Sequence, residues 1–328
     1  MSLINKPIGG FTEIGLNKSA GYHSETLALN TGRNCLEYIL RANEYKKIYL
    51  PFYICEVIFE PINKLDIKFD YYNIDNNLDP VFTSTLDNDE VFLYVNYFGI
   101  KKKTVEKLAS HFKNLIIDNT HDFFSKPLKG IDTFYSARKF FGVSDGAYLA
   151  TKNILGNIFE QDYSYNRMEH LLVQIDKGIE EGYDAFCRNE RLLSQQSIKR
   201  MSHLTRALLG NINYQEVRKQ RQDNFLFLHN KLGQINEFKI DVENIDAPFV
   251  YPFLCAGGKE IRENAIDKKI FIDTYWDRVL NKVNRNSVEA RLTNDLLPLP
   301  VSQMYGINEM EYLGNSILNY YKQTRTNP

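Results

Sequence analysis

The residue best suited to covalent chemistry is a lysine just after a predicted strand. The segment FYSARKFFGVSDGAYL (134–149) places Lys139 three residues after Ser136 and among aromatic residues. Aromatic neighbours desolvate an ammonium group and lower its pKa, which is the condition that a Schiff-base lysine needs. The sequence therefore predicts a reactive, desolvated Lys139; the alternative is an ordinary lysine that extends its charge into solvent.

Two more polar residues follow an apolar strand in LIIDNTHDFF (115–124). Asp118 ends that strand, at the edge where open α/β sheets bind ligands, and His121 comes three residues later. A carboxylate keeps a pyridine nitrogen protonated, and an imidazole can hold a phenolic oxygen, so the two residues suit a pyridine-type ring. Taken singly, Asp118 can instead cap a turn and His121 can be structural.

A phosphate site is predicted where the segment LNTGRNCLEYIL (29–40) opens a helix. The free N–H groups and the positive helix end at Thr31, Gly32 and Arg33 can receive a phosphate, and Ser136 can add a hydroxyl. The alternative is that Thr31 is an ordinary N-terminal cap.

The segment YLPFYICEVI (49–58) is expected to pass beside the bound ring after Pro51 ends a strand. Either Tyr53 or Cys55 is expected to cover the ring. The aromatic face favours Tyr53 because it stacks on a pyridine. A place in the hydrophobic core is the alternative for either residue.

Together and in this order, these segments resemble the DegT/StrS-type sugar aminotransferases, a family of fold type I enzymes that use pyridoxal 5′-phosphate (PLP). The resemblance covers most of the chain and is closest to a short branch of that family. It is carried by residues 30–40, 51–55, 118–125 and 135–149, of which the last range is the most specific.

The resemblance implies a role for each candidate residue. Lys139 would form the Schiff base with PLP, Asp118 would meet the pyridine nitrogen, and His121 would approach the ring or its oxygen. The phosphate would be held by Ser136 and by residues 31–33. Cys55 stands where related enzymes often carry the residue that stacks on the ring.

The resemblance also implies transfer of an amino group from an amino acid such as glutamate to a keto-sugar, possibly nucleotide-linked. The product would serve amino-sugar or surface-polysaccharide biosynthesis, and the enzyme would be a cytoplasmic homodimer. Two features depart from the wider family: the short Ser136-x-x-Lys139 spacing and a cysteine at position 55. Asn166 and Arg167 are candidates for residues that reach a partner's site, with a solvated helix start as the alternative.

Two other functions remain open alongside transamination. One is a PLP-dependent sugar dehydratase, although that branch is associated with a histidine in place of Lys139. The other is a non-catalytic protein of the same fold that binds a sugar nucleotide or a partner. A nucleotide-dependent dehydrogenase is disfavoured, since no GxGxxG follows an early strand and no GxxxxGK[ST] occurs.

The elements that must position these residues have the pattern of a mostly parallel α/β sheet covered by helices. Helices are predicted over residues 33–45, 56–65 and 102–112, and long helical patterns fill residues 154–235. Strands are predicted at residues 46–53, 67–74, 90–98, 115–119, 133–137 and 146–151. The predicted domains are a large PLP-binding α/β domain, 1–235, and a small α+β domain, 236–328.

Composition narrows the class of partner. The chain of 328 residues has 40 Lys and Arg against 41 Asp and Glu, which disfavours nucleic acid and anionic membranes and favours a small-molecule substrate. Its four cysteines form no disulfide framework and no metal-ligand spacing, so no metal is expected and a reducing cytoplasm fits best. MSLINKPIGG lacks a basic stretch followed by an apolar one, and no apolar run approaches the length of a membrane span, so neither export nor a membrane anchor is expected.

Overall fold

The computed structural model describes residues 9–17, 19–156 and 158–326. Within them the chain forms an eight-stranded sheet and a separate two-stranded sheet. In chain order the main sheet contains β1 (Leu27–Leu29), β2 (Lys47–Pro51), β3 (Lys68–Ile74), β4 (Pro80–Val81), β5 (Glu90–Val95), β6 (Leu115–Asp118), β7 (Asp132–Ser136) and β8 (Ala147–Ala150). The small sheet pairs β9 (Val250–Leu254) with β10 (Leu296–Pro300).

The main sheet has the spatial order β1-β8-β7-β6-β5-β2-β3-β4. Its central strands β7, β6, β5, β2 and β3 are parallel, while β8 pairs antiparallel with both β7 and β1, and β4 pairs antiparallel with β3. Asp118 lies opposite Val95 on one side and Phe134 on the other. The carboxyl ends of β5, β6 and β7 therefore meet at one edge of the sheet.

The helices surround this sheet and extend into the C-terminal part. They are α1 (Gly32–Asn43), α2 (Phe59–Lys64), α3 (Lys102–His111), α4 (Glu169–Lys177), α5 (Ile179–Leu193), α6 (His203–Leu209), α7 (Tyr214–Leu232), α8 (Gly258–Ala265), α9 (Val288–Asp295) and α10 (Ile307–Thr326). Pro61 lies in the first turn of α2, where the missing N–H costs no helix bond.

The predicted α/β class is confirmed, and every predicted strand is present with ends within three residues of those expected. The sequence missed the short edge strands β1 and β4. The helical pattern over 164–186 is divided between α4 and α5 because Gly178 has φ 97°, a conformation outside the helical region. From its polar composition and its place at the end of the chain, the tail from residue 322 is predicted to fray, but it is helical through Thr326.

Two hydrophobic clusters bear on the predicted domain division at residue 235. The main cluster includes the sheet residues Ile48, Leu93 and Ile116, all fully buried. The second cluster surrounds β9 and β10 and includes Phe225 and Leu228 of α7. α7 precedes residue 235 in the chain but packs in the second cluster. The two clusters therefore do not test the division at residue 235, which stays a prediction.

Within the described ranges, no helix combines the length and the apolar content that a membrane crossing requires. Residues 1–8, where the sequence predicts no export signal, and the last two residues of the polar tail lie outside the described part of the chain.

Candidate active site

A cavity of about 240 Å³ lies where the carboxyl ends of β5, β6 and β7 meet. The strand ends contribute Val95, Asp118 and Ser136 to its wall, and the start of α1 contributes two more residues. The candidate residues that line it are Gly32, Arg33, Cys55, Asp118, His121, Ser136 and Lys139. Residues separated by more than a hundred positions are thus brought to one place, as the sequence predicts.

Lys139 ends a short 3-10 turn, Ala137–Lys139, that follows β7 directly. Its Nζ lies 5.2 Å from the centroid of the Phe249 ring. The lysine is exposed, so the prediction that its aromatic neighbours desolvate it is wrong. The reason is that Phe140 and Phe141 turn away from the cavity and pack in a separate cluster with Phe123.

Asp118 is 6 % exposed and presents a carboxylate at the end of β6. Its Oδ1 accepts the N–H of Thr120 at 2.9 Å. Burial raises the pKa of Asp118, while the hydrogen bonds from Thr120 and the positive charge of Lys139 act in the opposite direction. A cation placed beside this carboxylate would favour its ionised form further.

His121 is held in a stack of aromatic rings. Its ring centroid lies 4.7 Å from that of Phe249 and 6.1 Å from that of Trp276. Burial, reinforced by Lys139, holds the pKa of His121 well below its usual range, so the imidazole is neutral at neutral pH. Because Nδ1 accepts the N–H of Phe98 at 3.4 Å, Nε2 carries the proton. His121 is therefore placed to donate one hydrogen bond.

The start of α1 offers backbone donors to the cavity. Thr31 is the N-cap: its Oγ1 accepts the N–H of Asn34 at 3.2 Å, and its hydroxyl donates to Asn34 Oδ1 at 2.6 Å. Thr31 is absent from the cavity wall, so its side chain caps the helix and does not face the site. The N–H groups of Gly32 and Arg33 have no acceptor within the helix and remain for an anion.

Tyr53 and Cys55 were alternative candidates for covering a bound ring, and they lie in different places. Cys55 lines the cavity. Tyr53 is fully buried and does not line it, because its ring packs edge-on against Trp276 at 4.8 Å between centroids. The preference for Tyr53 is therefore wrong, while the role of Cys55 in covering a bound ring stays a prediction.

The sequence missed several residues of the cavity wall. Arg138, the residue before Lys139, lines the cavity and pairs with Glu190 of α5. Phe186, also on α5, and Trp276 complete this side. Arg138 lies inside the most specific motif, so the sequence offered a signal for it. The local sequence around Glu190 and Trp276 offers no signal of a site.

Asn166 and Arg167 do not line the cavity of their own chain. Arg167 is buried and forms an ion pair with Asp162 at 2.7 Å, whereas Asn166 is exposed. Only Asn166 is therefore free to contact another subunit, and the role of both residues at a partner's site stays a prediction.

The donor set fits a ring that carries a basic nitrogen at one end and a phosphate at the other. Asp118 offers a carboxylate, His121 an imidazole N–H, and Lys139 an amine. Ser136 and the start of α1 offer neutral donors suited to an anion. This is the combination that PLP requires.

The eight-stranded, mostly parallel sheet, with a cavity at the carboxyl ends of its strands, defines an α/β fold class. No family model matches the chain, and no curated protein matches it in sequence. Solved structures, however, match it over most of its length with a probability of 1.00.

Three of these structures illustrate the match. A DegT DnrJ EryC1 StrS aminotransferase from Brucella abortus has a TM-score of 0.61 and 11% identity, over 90% of this chain and 86% of that chain. For the putative sugar aminotransferase Spr1654 from Streptococcus pneumoniae, in its apo form, the values are 0.64 and 14%, over 92% and 87%. NtdA from Bacillus subtilis, with bound cofactor PMP, gives 0.65 and 13%, over 90% and 73%. At such low identity the likeness establishes the fold, which confirms the fold that the sequence predicts.

Proposed function

We propose that this chain is a PLP-dependent aminotransferase that uses Lys139 as its catalytic amine. The observation that carries the proposal is the meeting of Lys139, Asp118 and His121 in one cavity with Ser136 and the start of α1. Support also comes from the fold, because the solved structures that share it include an aminotransferase and a protein with bound cofactor PMP.

When bound, PLP supplies an aldehyde that reacts with amines and a protonated pyridine ring that withdraws electrons. Lys139 would hold the aldehyde through its amine and, once freed by the amino donor, would move a proton at the donor's α-carbon. Asp118 would keep the ring nitrogen protonated. His121 would offer its Nε2 hydrogen to the ring oxygen, and Ser136 with the N–H groups of Gly32 and Arg33 would hold the phosphate.

We further propose that the amino acceptor is a keto-sugar, possibly nucleotide-linked, that the donor is an amino acid such as glutamate, and that the product serves amino-sugar or surface-polysaccharide biosynthesis. Support for the sugar comes from the solved structures of similar fold, among them a putative sugar aminotransferase. The reducing cytoplasm remains an expectation from the four cysteines, which the structure leaves unpaired.

We also propose that the enzyme is a homodimer, for which α4 and α5 offer a surface to a second copy. Leu172, Ile175, Ile179 and Tyr183 on these helices are between 58% and 81% exposed. The same hairpin carries Phe186, which lines the cavity. Burying these side chains against a second copy would therefore bring the partner close to the site. Light scattering on a gel-filtration column measures the mass directly, and a monomer at working concentration contradicts this part.

The central test is attachment of PLP to the protein. Purified protein incubated with PLP should become yellow, and borohydride reduction followed by peptide mapping should place the adduct on Lys139. Adding glutamate before reduction should remove the yellow colour, since the cofactor then leaves the lysine.

Two variants sharpen this test. Lys139→Ala and Lys139→Arg should both lose the adduct and turnover, although the second keeps the positive charge. The control is Lys113→Ala, which changes an exposed lysine away from the cavity and should leave both unchanged. A wild-type protein that stays colourless would favour the non-catalytic binding function, and an adduct on another lysine would contradict the assignment.

A further inference from the structure

Arg138 has a position that the proposed roles leave unused. It lies immediately before Lys139 in the same 3-10 turn, and both residues line the cavity. Its side chain is 18% exposed and forms an ion pair with Glu190, whose side chain is 35% exposed. A guanidinium group is therefore fixed beside the proposed catalytic amine.

The ion pair leaves hydrogen-bonding capacity on the guanidinium. Arg138 Nε is buried and has no hydrogen-bond partner among the residues that the structure describes. The Nε and Nη2 donors lie on one edge of the guanidinium, which matches the two oxygens of a carboxylate. Glu190 Oε1 pairs with Nη2, while Nε has no hydrogen-bond partner in the described part of the chain, so this edge is only partly used.

The other arginines of the region already have partners. Arg33 pairs with Glu60 at 2.7 Å, with both side chains nearly buried, and Arg167 pairs with Asp162. Burial lowers the pKa of Arg138 to about 10, and the nearby charges of Arg33 and Arg167 act in the same direction. The guanidinium nevertheless remains cationic at neutral pH and is the arginine best placed to bind an additional anion.

The chemistry of the donor indicates which anion this is. The amine of an amino acid must take the place of the Lys139 amine, and its α-carboxylate is attached to the carbon that bears that amine. The phosphates of a nucleotide-linked sugar are separated from the reacting carbon by several more bonds. A carboxylate is therefore the anion expected beside Lys139.

We propose that Arg138 binds the α-carboxylate of the amino donor, and that Glu190 competes with that carboxylate for the same guanidinium edge. This inference rests on the proposed function, because it assigns a substrate to the same cavity. It makes Arg138 a specificity-determining residue and makes α5, which carries Glu190, part of the donor site.

The first measurement is binding without turnover. Trp276 is the only tryptophan of the chain and lines the cavity, so its fluorescence reports occupancy. Glutarate, which has two carboxylates and no amine, is titrated into the PLP-loaded protein. Arg138→Gln should raise the Kd of glutarate roughly 10- to 100-fold, the loss expected for a charged bidentate contact.

Two further variants test the competition and the requirement for geometry. Glu190→Gln should lower the Kd by about two- to fivefold, since it removes a negative charge next to the bound carboxylate. Arg138→Lys should recover only part of the affinity, because an ammonium cannot form the paired contact. The matched control is Arg188→Gln, which removes an exposed arginine that pairs with Glu169 on the same helical hairpin; it should leave the Kd within about twofold.

Steady-state kinetics with both substrates distinguish the two possible sources of the anion. The KM of glutamate should follow the Kd of glutarate across the variants, whereas the KM of a nucleotide-linked keto-sugar should change less than about twofold. A change confined to the sugar substrate would overturn the inference in favour of a phosphate contact.

PLP loading separates the failure of this inference from the failure of the proposed function. A wild-type protein that does not attach PLP overturns both. A loaded Arg138→Gln variant with unchanged glutarate affinity overturns only the role of Arg138. If thermal unfolding shows that Arg138→Gln does not fold, the Glu190→Gln variant still tests the inference, because its Kd for glutarate is expected to fall. An unchanged or higher Kd for glutarate in Glu190→Gln overturns the inference.

Discussion

Gly99→Ala should destabilise the fold and disturb the site, because Gly99 packs against the backbone of His121. Gly99 has φ 76°, and a Cβ built on it would lie 2.6 Å from the carbonyl oxygen of His121. The left-handed conformation alone costs about 1–2 kcal/mol for alanine. The overlap with rigid backbone adds about 1–3 kcal/mol, so the free energy of unfolding should fall by about 2–5 kcal/mol.

Two control variants separate the two contributions. Gly257 has φ 79°, and the nearest atom to its Cβ position is 3.7 Å away, so Gly257→Ala measures the conformational cost alone. Gly156 has neither a positive φ nor an atom within 4 Å, so Gly156→Ala should be nearly neutral. Urea unfolding at equilibrium gives all three free energies, and PLP titration shows whether Gly99→Ala also weakens cofactor binding through a displaced His121. If Gly99→Ala costs no more than Gly257→Ala, the close contact with His121 is not what constrains this position.

The remaining predictions concern a buried histidine and the phosphate contact. Burial lowers the pKa of His23 to about 4, although the hydrogen bond to the Phe123 carbonyl acts in the opposite direction. The unfolded chain therefore binds a proton on His23 near pH ~6.5, whereas the folded chain does not. The stabilisation from neutral His23 is therefore fully present above about pH 6.5 and is lost toward about pH 4, with roughly 2 kcal/mol lost at about pH 5. His23→Gln should reduce the dependence of the free energy of unfolding on pH, measured by urea unfolding. An unchanged dependence would show that other groups cause it. Ser136→Ala should raise the Kd of PLP roughly three- to tenfold and leave that of pyridoxal within about twofold, both measured by Trp276 fluorescence. Equal losses for the two ligands would show that Ser136 does not contact the phosphate.

The correction to Lys139 shows how far local sequence can predict the environment of a side chain. The aromatic residues around it in sequence are buried as expected, but Phe140 and Phe141 pack with Phe123 on another side of the chain. Sequence neighbours share a segment and need not share a surface. The short 3-10 turn after β7 rotates the chain so that Lys139 faces the cavity and the two phenylalanines do not.

The sequence by itself determined the parallel sheet, α1, α7 and the placement of Asp118 and Ser136 at strand ends. These features depend on local patterns: runs of β-branched and aromatic residues, helical spacing, and the Thr31 cap of α1. Parallel pairing then brings the ends of β6 and β7 to one edge without further information.

Only the tertiary structure decided which distant side chains complete the cavity. Glu190 reaches Arg138 from α5, Trp276 comes from the C-terminal part, and Tyr53 is withdrawn from the wall because its ring packs against Trp276. The edge strands β1 and β4 were equally inaccessible, since strands of two or three residues are defined by their pairing partners. Contacts of this kind depend on how separate elements pack, and no local pattern of residue types specifies that packing.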